Sequence, residues 1–314
     1  MLSGGPRVLA VRLGAMGDVV QCLPAVASLK HSIPRSHVTW VIEPRWAPLL
    51  EENPYVDRVV LLDRRSLAGL GTAWRELRAQ RYDIAVDFQG LLKSALVASA
   101  ARAERLFGFS RALVRERPAA WFYSVAVASK ATHVVDRYLD LASAAGASSL
   151  LRNFPLPAGH PEGSLPAGPF VLASPMAGWA AKQWPMDFYS ELGRLLEAEY
   201  GCKLVLNGLA RIDAPHTHAH VSGLPGLIDA TRRAAAIVGV DSGPLHLAAA
   251  LGKPGVAIFG PTDPLRNGPR GGAITVLRSP AAATSYKRDH PGTAMRDIRP
   301  EAVHEALRAV LAEA

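Results

Sequence analysis

The sequence predicts an α/β protein of two doubly wound parallel-sheet domains. Three observations carry this. Short β-branched apolar runs alternate with helical segments along most of the chain. The alternation breaks once, at the proline- and glycine-dense stretch FPLPAGHPEGSLPAGP over 154–169. The length, 314 residues, suits two domains of about 150 residues each.

The elements follow in order. RVLAVRL (7–13) is a continuous apolar run of the kind found in a strand buried on both faces. The glycine turn GAMGD (14–18) leads into a helix from about Val19 to His31, closed by Pro34. Strands are expected at 38–42, 58–62 and 83–88, and helices at 66–80 and 91–102. After the linker come strands at 170–174, 203–207, 236–240 and 255–259. Helices are expected at 186–200, near 229–236 and at 244–251. Pro300 opens a final amphipathic helix over 300–313. The domains are set at 1–160 and 161–299. Two such halves imply a cleft, with ligands at the carboxyl ends of the strands.

Composition limits the function classes. The hydrophobic fraction is 49% and the charged fraction 20%, as in soluble globular proteins. No apolar run reaches the ~20 residues that span a bilayer, and the N-terminus lacks a signal-peptide core, so a cytoplasmic location is expected. Cys22 and Cys202 are far apart and form neither a metal pair nor a disulfide framework. The net charge of +8 points to an anionic partner. Arginines thicken between Arg102 and Arg117, but no aromatic-interleaved nucleic-acid motif accompanies them, so no nucleic-acid partner is expected.

Five strand-to-helix junctions hold the candidate chemistry. In GAMGD, Gly14 and Gly17 allow a tight turn, and Asp18 is either a catalytic carboxylate or a helix cap. In VGVDSGPLHLAAALGKP (238–254), Asp241 ends a strand, Ser242 caps, Gly243 and Pro244 start a helix, and His246 falls on its first turn. A helix N-terminus behind a glycine suits a diphosphate. In SPMAGWAAKQWP (174–185), Lys182 is either a phosphate-holding point charge or an exposed loop lysine. FGPTDP (259–264) and DFQGLLKSA (87–95) leave two further strand ends. No D-x-D pair, Walker loop, HExxH or G-x-S-x-G occurs.

Six segments together resemble glycosyltransferase family 9: 12–30, YDIAVDFQGLLKSAL (82–96), RERPAAWFY (115–123), KQWP (182–185), 238–254 and 259–264. The resemblance implies a GT-B fold of two Rossmann-like domains, acceptor in the first and nucleotide sugar in the second, with the C-terminal helix returning to the first. It implies inverting, metal-independent transfer of heptose from ADP-heptose to a Kdo-lipid A type acceptor at the cytoplasmic surface of the inner membrane, with no cofactor. Asp18 matches the family's catalytic base. Lys182, Asp241, Ser242, Gly243, His246, Met16 and Thr262 fall to donor binding. Lys93, Arg115 and Gln89 fall to acceptor binding.

One departure stands out. Between Asn207 and Val221 the family has a longer loop and helix, and here only GLARIDAPHTHAH fills the gap. Asp213 is the one acidic candidate there for the ribose. Another nucleotide sugar or surface glycan, or a non-catalytic nucleotide-sugar binder, are the competing readings. Retention of both Asp18 and Lys182 speaks against the last.

Overall fold

The computed structural model describes residues 5–285 and 294–312. Residue 313 of the expected last helix lies outside them. The chain divides into two compact units between Pro157 and Ala158, a few residues before the expected boundary.

Unit 1 contains β1 (Arg7–Val11), α1 (Met16–Ser32), β2 (His37–Ile42), β3 (Arg58–Leu61), α2 (Leu67–Arg78), β4 (Ile84–Asp87), α3 (Leu92–Ala100), β5 (Arg105–Phe109), β6 (Val125–Val127) and α4 (Val134–Ala144). Its six strands are all parallel, in the order β3-β2-β1-β4-β5-β6. β1 is central, with Val8 opposite Val38 on one side and Ile84 on the other. This placement explains its unbroken apolar sequence: Val8 to Val11 are fully buried. The strand ends at Val11; Arg12 still donates its amide to the Val41 carbonyl at 3.4 Å and Leu13 accepts from the Glu43 amide at 3.1 Å before the chain turns into α1.

Unit 2 contains β7 (Phe170–Ser174), α5 (Met186–Tyr200), β8 (Lys203–Gly208), β9 (Thr217–Val221), α6 (Leu224–Arg233), β10 (Ala236–Val240), α7 (Gly243–Ala250), β11 (Gly255–Phe259), α8 (Pro264–Asn267), β12 (Ile274–Arg278) and α9 (Pro300–Leu311). Its strands are also parallel, in the order β12-β11-β10-β7-β8-β9. In both sheets the order reverses direction beside the central strands, which places the carboxyl ends of β1 and β4, and of β7 and β10, at the switch points.

Two expectations are corrected. The C-terminal helix was expected on the first domain. Instead α9 packs on α5 and β11 of unit 2, because Val303 and Leu307 complete a core with Leu192, Leu196 and Ile258. The helix expected near 229–236 starts earlier, at Leu224, since Pro225 is tolerated in a first turn. No helix among the described residues is long and apolar enough to cross a membrane.

Candidate active-site residues

In unit 1 the candidate residues gather where β1, β4 and α1 meet. α1 starts at Met16 with Ala15 in the N-cap position, so Asp18 is its third residue and not its cap. Arg12 explains where the Asp18 carboxylate goes. This arginine is 1% exposed; its Nη1 donates to the Phe88 carbonyl at 3.0 Å, and its Nη2 forms an ion pair with Asp18 Oδ2. Arg115 Nη1 lies 3.9 Å from the same oxygen. Asp18 remains 33% exposed, so a ligand can reach it.

The turn after β4 holds this arrangement. Asp87 is fully buried and accepts four hydrogen bonds: from the Gln89 and Gly90 amides at Oδ1, and from Ser94 Oγ and Tyr123 OH, each 2.8 Å away, at Oδ2. Burial still pushes its carboxyl above the usual range, against those donors. Gly90 has φ +68°, which lets the turn fold back over Asp87. A Cβ on Gly108 would lie 2.3 Å from the Tyr123 ring, so only glycine lets Tyr123 reach Asp87. Gln89 is buried and its Oε1 accepts the Leu13 amide at 2.9 Å. The residue assigned to the acceptor thus fixes the backbone between Arg12 and Asp18.

Lys93, on the first turn of α3, is half-buried. Partial burial and then the Arg64 charge lower its pKa, partly offset by Glu43 and Glu116. Arg64 is held by Glu43 through a 2.9 Å bond from Nε. Lys93, Arg64 and Arg115 therefore form a cationic group suited to an anionic sugar or phosphate. Met16 belongs to this unit too, as the buried first residue of α1.

In unit 2 one carboxylate collects most of the donor candidates. Asp241 follows β10 and is 8% exposed. Lys182 Nζ lies 2.6 Å and Thr262 Oγ1 2.7 Å from its Oδ2, and His246 Nε2 lies 3.6 Å from its Oδ1. Burial alone would raise the Asp241 carboxyl; His246 and Lys182 overcome this and hold it well below the usual carboxylate range. Lys182 also sits 4.5 Å above the Trp179 ring. It is therefore not a free loop lysine.

Ser242 occupies the N-cap position of α7, but its side chain makes no capping bond. The expected cap is corrected: Ser242 Oγ is buried without a hydrogen-bond partner. Gly243 begins α7, leaving the helix N-terminus uncapped by this side chain. FGPTDP has two parts. Thr262 joins the Asp241 group, while Asp263 caps α8 by accepting the Leu265 amide at 2.9 Å. Asp213 is exposed and paired with Arg211. Sequence reasoning missed Arg12, Asp87 and Glu43. An arginine within the apolar run RVLAVRL was the available signal for the first.

Two doubly wound units, each with charged groups at the carboxyl ends of its strands, define the class of GT-B glycosyltransferases. The chain belongs to glycosyltransferase family 9 (heptosyltransferase), whose family model matches residues 71–293. It is 31% identical to lipopolysaccharide heptosyltransferase 1 of Pseudomonas aeruginosa, over 82% of this chain and 79% of that protein. Among solved structures it resembles the E. coli heptosyltransferase WaaC with ADP, at 26% identity and TM-score 0.79, covering 97% of this chain and 99% of that one. The same E. coli protein with ADP-2-deoxy-2-fluoro heptose gives 26% identity and TM-score 0.77, covering 96% and 99%.

Proposed function

We propose that this chain transfers heptose from ADP-heptose to a Kdo-lipid A type acceptor in lipopolysaccharide core assembly, with inversion at the anomeric carbon and without a metal. The observation that carries the reaction type is Asp18, a partly exposed carboxylate held by Arg12 at the end of the central strand. An acceptor hydroxyl oxygen attacks the anomeric carbon, and Asp18 takes its proton. The bond from that carbon to the diphosphate oxygen breaks, and ADP leaves with the electron pair. Lys182, Ser242 Oγ and the α7 amides stabilise the growing negative charge. Lys93, Arg64 and Arg115 hold the anionic groups of the acceptor. The donor is inferred from the ligand named with the E. coli structure, lipopolysaccharide from the relatives' names, and the Kdo-lipid A acceptor from the family resemblance. A lipid-anchored acceptor requires work at a membrane surface, here the cytoplasmic face of the inner membrane.

Purified protein incubated with ADP-heptose and Kdo-lipid A tests the proposal. Mass spectrometry is expected to show acceptor gaining one heptose, with release of ADP. Transfer from another nucleotide sugar in preference to ADP-heptose would overturn the donor assignment. That alternative has one observation behind it: Asp213, in the shortened segment 208–221, is paired with Arg211 on the surface.

A further inference from the structure

The sheet order of unit 1 sorts its helices. The steps β3 to β4, β4 to β5 and β5 to β6 run the same way across the sheet, whereas β1 to β2 runs the opposite way. Right-handed crossovers therefore place α2, α3 and the 3-10 turn Arg117–Phe122 on one face, and α1 on the other, where α4 packs against it. α3 touches both α2 and the 3-10 turn, so the three form one continuous layer.

This layer leaves large apolar side chains in water. α2 has two apolar stripes. Ala73 and Leu77 turn inward and are buried. Leu67, Leu70 and Trp74 follow helical spacing on an exposed side, and Leu67 is 88% exposed. α3 adds Leu96, and the 3-10 turn adds Trp121, 74% exposed. Cations accompany them. Arg78 lies 5.2 Å from the Trp74 ring centroid, and Arg75 and Arg117 are exposed beside their apolar neighbours. Residues 63–122 hold eleven Lys or Arg against six Asp or Glu, much of the net charge of +8.

We infer that the α2–α3–Arg117–Phe122 face docks on an anionic phospholipid bilayer. Leucine and tryptophan among arginines is the composition of an interfacial surface: the apolar groups enter the headgroup boundary and the cations meet anionic lipid. The cationic excess favours lipid over a second copy of this chain, whose identical face would repel it. The inference rests in part on the acceptor reading, because Lys93 is the second residue of α3, next to the exposed Leu92 that opens it. An acceptor sugar bound at Lys93 would keep its acyl chains on the side where the apolar face meets the membrane. The apolar contribution lies outside the arginine-rich stretch 102–117, in α2, α3 and Trp121.

Co-sedimentation of the full chain with vesicles tests this. Vesicles containing phosphatidylglycerol are expected to bind it, with release at high salt; pure phosphatidylcholine vesicles are expected to bind weakly. Leu67→Ser/Trp74→Ser, and separately Trp121→Ser, are expected to weaken binding about tenfold or more. Leu209→Ser, at an equally exposed leucine of unit 2, is expected to leave it unchanged. All variants are expected to keep the wild-type melting temperature and transfer rate to a deacylated, water-soluble acceptor. Vesicle binding equal in the variants and wild type would overturn the inference. So would a dimer of the wild type that these substitutions convert to monomer. Absence of transfer by the wild type, with vesicle binding intact, would fault the proposed activity instead.

Discussion

Lys182 Nζ lies 2.6 Å from Asp241 Oδ2, inside a pair of which neither member is more than 15% exposed. A diphosphate bound as proposed would therefore meet a lysine that is already anchored. Asp241 sets its position, Thr262 and His246 hold Asp241, and the ammonium keeps donors for a phosphate.

Lys182→Ala is expected to have two separable effects. It removes a cation from the proposed diphosphate site, and it leaves a buried carboxylate without its lysine counter-charge, which costs roughly 3–5 kcal/mol of stability. Adding Asp241→Asn is expected to restore much of the melting temperature but not ADP binding by calorimetry. Lys182→Arg is expected to rescue in part, because the planar guanidinium does not fit the place of the ammonium. Wild-type ADP affinity in the double variant would remove the diphosphate role.

Asp241 also sets an expected pH dependence. Its folded pKa lies below the unfolded value of about 3.9. Its contribution is thus fully present well above that value and is lost as pH falls toward the folded pKa. Urea melts of wild type and Asp241→Asn are expected to differ most near neutral pH, with the gap narrowing below about pH 4. A gap that does not change with pH would contradict this. Asp87, whose carboxyl is raised by burial, has the opposite sign: its contribution is present below the unfolded value and lost as pH rises through the folded one.

Gln89 has two testable roles. Its bond to the Leu13 amide fits a positioning role toward Asp18, the proposed base. Gln89→Leu is then expected to lower kcat by about 10–100-fold with little change in acceptor KM, since small misplacements of a reacting group are costly. Gln89→Glu, which keeps an acceptor oxygen, is expected to recover part of the rate. A rise in acceptor KM at constant kcat would make it an acceptor contact instead.

Transfer is expected to persist in EDTA, because the chain has no D-x-D pair and holds Lys182 beside the α7 N-terminus. Activity lost in EDTA and restored by magnesium would contradict the metal-free scheme.

The central strands of both sheets were legible because strands buried on two faces are continuous apolar runs. β5, β6, α4, β9 and β12 were passed over for physical reasons. β6 has three residues, and β9, THAHV, carries two histidines, one of them buried. The Asp241 group was legible as motifs, since Lys182, Asp241, His246 and Thr262 were each singled out; their convergence on one carboxylate was not. Asp87 and Tyr123 are 36 positions apart, and only tertiary structure joins them. Likewise the alternative of Asp18 as a helix cap was settled only by the start of α1 at Met16.

The most direct test of Asp18 as the base is heptosyl transfer by Asp18→Asn beside the wild type, with ADP affinity and melting temperature measured on the same preparations. The expected result is a folded protein that binds ADP normally and transfers about 10²–10⁴-fold more slowly, the usual contribution of a positioned base. A folded Asp18→Asn protein that transfers heptose at the wild-type rate would contradict it.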